Sequence, residues 1–115
     1  MSNTNDSRKG DIRRAGTLID GIRMACHELA VRPSGNRLEP IKDIRRKCGQ
    51  LLSLSEHAFP ESFMTIKSLI VQITGEIEVM NELTENGLEP DIPETVERML
   101  KLLSELEGPT EIGSI

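Results

Sequence analysis

Residues 60–87, PESFMTIKSLIVQITGEIEVMNELTENG, decide the fold. Phe63, Ile66, Ile70, Ile73, Ile77 and Met80 recur in steps of three and four, the spacing that lays one apolar stripe along an α-helix. Pro60 and Glu61 suit a helix start, because proline has no amide hydrogen to leave unpaired in a first turn and a carboxylate favours the positive end of the helix dipole. Asn86 and Gly87 suit its stop, a left-handed glycine cap with Leu88 beyond it. The helix is therefore expected over about 60–86. Opposite the first stripe run Met64, Ser68, Val71, Gly75 and Val79, again at three-four spacing. A helix with one buried face normally carries charge on the other. Here the second face is apolar or small, so it is expected either to be buried inside the bundle or to form the interface with a second copy or a partner helix.

The flanking segments have the same grammar. Ile12, Ala15, Ile19, Ile22, Cys26 and Leu29 predict a helix over about 11–32, with Gly16 and Gly21 marking either softness or the approach of another backbone. The turn residues Pro33, Ser34, Gly35 and Asn36 end it. Ile41, Ile44, Cys48, Leu51, Ser55 and Ala58 predict a second helix over about 40–58, Pro40 lying in its first turn. Asp91, with Glu94 three residues on, reads as a capping-box variant that opens a fourth helix carrying Val96, Met99, Leu100, Leu103 and Leu106. Gly108 and Pro109 stop it. No segment alternates with a period of two, so no strand is predicted. Leu38-Glu39-Pro40 echoes Leu88-Glu89-Pro90, and Leu51-Leu52-Ser53 echoes Leu102-Leu103-Ser104, in residue types common enough in helices to coincide by chance.

A chain of 115 residues with 37% apolar and 29% charged side chains can close one compact core. Two Phe with no Tyr or Trp leave few platforms on which bases or sugars could stack. The net charge of −5 hides an asymmetry, since residues 1–58 carry 11 Lys/Arg and 7 Asp/Glu while residues 59–115 carry 3 and 12. The simplest account is two oppositely charged faces of one bundle or dimer. The competing account is a nucleic-acid footprint, with Arg13, Arg14, Arg45, Arg46 and Lys47 as the candidate phosphate contacts. No apolar run reaches 18 residues and the start of the chain is polar, so neither a membrane span nor a secretory signal is expected, and the location read from this is cytoplasmic. There, Cys26 and Cys48 on apolar helix faces are expected to act as small buried hydrophobes, not as a disulfide.

Catalytic grammar is sparse. His27 and His57 lie far apart and neither shares a helix turn with a second ligand, so no metal site and no cofactor are expected. Cys26 and His27 are adjacent and point about 100° apart on a helix, which rules out a nucleophile-base pair between them. A dyad of Cys48 with His57 is left to the fold to decide. There is no Gly-rich phosphate loop, GxSxG or EF-hand loop.

The stretch Ala58-Phe59-Pro60-Glu61-Ser62, followed by a long helix through Met80, Asn81 and Leu83 to Gly87 and Pro90, resembles the second half of quorum-sensing antiactivators of the TraM kind. The likeness covers about a third of the chain, whose connection after Pro60-Glu61 is shorter and which adds a helix after Pro90. It implies a small helical protein that binds a LuxR-type transcription regulator and prevents its DNA binding. The combined expectation is an all-α antiparallel bundle of about four helices, dimeric, with a single domain over 11–108 between a disordered arm (1–10) and a mobile tail (109–115). It is expected to act as a non-enzymatic regulator through protein contacts. The alternatives are a DNA-binding transcription regulator using the basic half, and a secretion-type chaperone or phage-encoded inhibitor.

Overall fold

The computed structural model describes residues 4–32 and 37–114. Four helices follow in order: α1 (Thr4–Val31), α2 (Leu38–Ala58), α3 (Phe63–Glu85) and α4 (Ile92–Leu106), then a short 3₁₀ turn, Ile112–Ser114. No strand occurs among the described residues. Short links turn α2 into α3 and α3 into α4, so sequential helices run antiparallel. α1 packs against α2 and α4, and α3 packs against the same two, leaving α1 and α3 diagonal. The result is an all-α four-helix bundle measuring 58 × 23 × 19 Å.

The stripes fill the centre. Ile19, Ile22, Leu29, Ile44, Leu51, Ile66, Ile73, Ile77, Met99 and Leu103 are fully buried, and each such side chain contributes roughly 1.5–3 kcal/mol by leaving water. Phe63, expected to open the α3 stripe, is only half-buried, while Leu69 joins the core.

The helix ends follow local chemistry. Ser62 N–H donates to Phe59 O at 3.1 Å, so Pro60 occupies the second position of a β-turn and α3 opens at Phe63 instead of at Pro60. At the other end Gly87 has φ +75°, Leu88 N–H donates to Leu83 O at 2.8 Å and Gly87 N–H to Thr84 O at 3.0 Å, the paired bonds of a Schellman cap. Asp91 caps α4 as expected, its Oδ1 accepting from Glu94 N–H at 3.1 Å. The two Leu-Glu-Pro triplets play different parts, one opening α2 and the other forming the link ahead of α4.

Both ends of the chain differ from expectation. α1 starts at Thr4, so residues 4–10 are helical where a disordered arm over 1–10 is expected; Met1 to Asn3 lie outside the described residues, as do Pro33 to Asn36, where the turn after the first helix is placed. Arg8 provides the anchor. It pairs with Glu111, donates to Ala58 O at 3.2 Å and lies 5.7 Å from the Phe59 ring centroid, a cation–π distance. Of the tail 109–115, expected to be mobile, residues 109–114 fold back, with Thr110 buried, its hydroxyl on Leu106 O at 2.6 Å, and Ile112 3.9 Å from where a Cβ on Gly16 would sit, while Ile115 lies outside the described residues. At Gly21 the neighbour is likewise a side chain and not a backbone, since a Cβ there would come within 2.8 Å of Lys47 Nζ.

Candidate functional site

α3 packs mainly on α2 and α4, and the side of it that faces away from the core is open to solvent. That side is the second stripe. Met64 is 71% exposed, Val71 56% and Val79 55%; Ser68 is exposed and Gly75 partly so, with no atom within 4 Å of where its Cβ would be. Of the two readings open in the sequence, burial inside the monomer is therefore excluded. At 1.5 Å per residue the stripe runs about 22 Å from Met64 to Val79. Its borders are polar, with Lys67 and Glu78 on the α2 side and Gln72 toward α4. Glu78 accepts from Arg45 of α2 at 2.5 Å, and Glu76 is gripped by Arg98 of α4 through two bonds of 3.1 and 2.9 Å. These links join α3 to its neighbours on both flanks, while its orientation is set by the buried stripe.

The basic residues have another fate. Arg46 and Lys47 both pair with Asp43, Arg14 lies 3.8 Å from Asp11, Arg45 takes Glu78, and Arg13 alone of the five has no ion pair among the described residues. Arg8 with Glu111, Arg23 with Glu107, Arg37 with Glu89 and Arg45 with Glu78 all join the basic first half to the acidic second half. The charge asymmetry is thus used within the fold, in exposed pairs each of small energetic weight, and the five residues do not form one free phosphate-binding row.

No family model, curated protein or solved structure matches the chain. The reading of its surface therefore rests on geometry. One further concavity, of about 640 Å³, lies between α1 and α2, lined by Arg14, Leu18, Arg46, Gly49, Gln50, Ser53, Leu54 and His57. Its only local signal in the sequence is Gly49 and Ser53, one turn apart and opposite the α2 stripe, which leave a shallow strip there. Met24 (69% exposed) and Val31 (80%) form a smaller apolar pair on α1, interrupted by His27 and Glu28.

The thiols are sealed. Cys26 and Cys48 are free, buried, and pushed up to about 12 from the ordinary 9.0 by burial, with Arg23 opposing this slightly at Cys26 and Cys26 adding to it at Cys48. Cys48 and His57 stand nine residues apart, half a turn out of phase on α2. Cys48 faces the core and His57 faces solvent, so they form no dyad. Among the described residues no group of three or more His, Cys, Asp or Glu is placed to hold a metal ion, and no helix is long and apolar enough to cross a membrane. A pH dependence follows from the thiols. Because the folded state holds their protons more tightly, their contribution to stability is whole below pH 9.0 and is lost as pH rises toward about 12. The chain has no tyrosine to titrate in the same range. The unfolding free energy from urea melts is expected to fall from pH 9.0 upward with a slope of up to about 1.4 kcal/mol per pH unit per thiol, and to fall less steeply in Cys26→Ala/Cys48→Ala. In the native protein at neutral pH neither thiol should react with an alkylating reagent until the chain is unfolded.

Proposed function

We propose that the protein is a non-enzymatic regulator of the cytoplasm that binds a LuxR-type transcription regulator and keeps it from DNA, using the outward face of α3. One observation carries this reading: a rigid helix offers Met64, Val71 and Val79 to solvent in a row while the core of the same bundle is complete without them. An apolar row of this kind, spaced at helical intervals and bordered by polar residues, is what helix-in-groove recognition uses. The resemblance of residues 58–90 to TraM-type antiactivators supplies the class of partner. The reading needs no cofactor, and it leaves Arg14, Arg45, Arg46 and Lys47 in their ion pairs.

The test adds the chain to a LuxR-type regulator of the host cell bound to fluorescent operator DNA and follows anisotropy. Release of the DNA at stoichiometric chain is the expected result. A regulator that stays on its operator under excess chain, with no ternary complex by light scattering, overturns the antiactivator reading.

A further inference from the structure

We propose that the outward face of α3 pairs with the same face of a second copy, antiparallel, about a two-fold axis passing between Val71 and Gln72. This rests on the reading of that face as a docking surface and names its occupant when the chain is alone.

The order of side chains is the first reason. Rotation about that axis sets Met64 against Val79 of the other copy and Ser68 against Gly75. Each Val71 then falls between the Ser68 and Gly75 of its mate, a knob entering a hole between two small residues. Gly75 has open space above it for this purpose, and Ser68 and Val71 are exposed. Few helix faces map onto themselves in this way, and an isologous interface requires that they do.

Charge is the second reason, and it sets the direction. Lys67 is the only basic residue of α3, against Glu76, Glu78, Glu82 and Glu85. It is exposed and makes no ion pair within the chain among the described residues, whereas Glu76 and Glu78 are already held by arginines of α4 and α2. A two-fold axis keeps each border of the face on its own side, so Lys67 meets the neighbourhood of Glu78 in the second copy, and Glu78 of the first meets Lys67 of the second. A parallel pair, whose two-fold runs along the helix axes, would exchange the borders and turn Lys67 toward the Gln72 side of the second copy, away from Glu78. One helix face about 22 Å long covers less than a standard interface of ~800 Å² per partner. The pair is accordingly reversible, and a protein partner reaches the face by displacing the second copy.

Cysteine cross-linking reads the register. On mild oxidation Val71→Cys gives a disulfide-linked dimer, because only near the axis does a residue meet its own copy. Met64→Cys and Val79→Cys each stay monomeric alone and cross-link when mixed. The buried native thiols stay silent. Lys67→Glu, which sets acid against acid at two symmetry-related places, raises the dimer dissociation constant by about tenfold or more in light scattering. A linked dimer from Met64→Cys alone, or a monomeric mass for the parent chain at millimolar concentration, overturns the self-pairing. If the chain is monomeric and Val71→Arg still abolishes regulator binding, the self-pairing falls and the proposed function stands. If Val71→Cys cross-links and Val71→Arg leaves regulator binding intact, the self-pairing stands and the assignment of the regulator to this face falls.

Discussion

Ile73→Ala is expected to lower the stability of the bundle by about 2–5 kcal/mol, whereas Val71→Ala, two residues away, changes it by less than about 0.5 kcal/mol. Ile73 is fully buried, and its truncation leaves a cavity between α3 and its neighbours that a close-packed interior refills only in part. Val71 is more than half exposed and supports nothing beneath it. Against a total of ~5–15 kcal/mol for a domain of ordinary stability, the first change brings the protein close to unfolding. Urea unfolding at neutral pH reads both values. Equal losses at the two positions would mean that α3 is rotated from the orientation described.

The second large effect is on association. Val71→Arg/Gly75→Arg should leave helicity and the unfolding midpoint unchanged or slightly raised, because Gly75 costs the exposed helix up to about 1 kcal/mol relative to a good helix former and Val71 carries little of the stability. The same pair of guanidinium groups, placed at the centre of the docking face, must be desolvated without partners whenever another protein covers it. A loss of at least ~30-fold in affinity is expected, corresponding to the ~2 kcal/mol that separates central from peripheral contacts. Circular dichroism and titration against the regulator measure the two halves of this prediction on one sample. A variant that binds like the parent would place the contact elsewhere on the surface, the α1–α2 groove being the next concavity available.

Much of the bundle was legible because each helix buries one stripe, and a stripe of period 3.6 is a local signal. Ile66, Ile70, Ile73 and Ile77 declare α3 in this way, and Asp91 and Gly87 declare ends whose chemistry acts within a few residues. What was not legible depends on residues distant in sequence. The start of α1 has little apolar period of its own and is held by Arg8 through Ala58, Phe59 and Glu111. Ile112 has no periodic neighbours and finds its place on Gly16, on the other side of the bundle. The outward stripe of α3 was visible from its spacing, but whether it would be covered could not be read locally. That was decided by α1 lying diagonally across the bundle, where it packs on α2 and α4 and leaves the stripe open. Of the five basic residues read as candidate nucleic-acid contacts, only Arg45 takes its carboxylate from the opposite half of the chain; Arg14, Arg46 and Lys47 pair with Asp11 and Asp43 three or four residues away, a spacing legible in the sequence.

The central claim is that protein covers the outward face of α3 and not the rest of the surface. The methionines provide a built-in gauge, because Met24 and Met64 are similarly exposed on opposite sides of the bundle while Met80 and Met99 are buried. In the dilute free chain, brief peroxide oxidation followed by mass spectrometry should modify Met24 and Met64 at similar rates and spare Met80 and Met99. In the complex with the regulator, Met64 should become protected while Met24 continues to react. Equal oxidation of Met24 and Met64 in a complex shown to be fully formed would contradict the account.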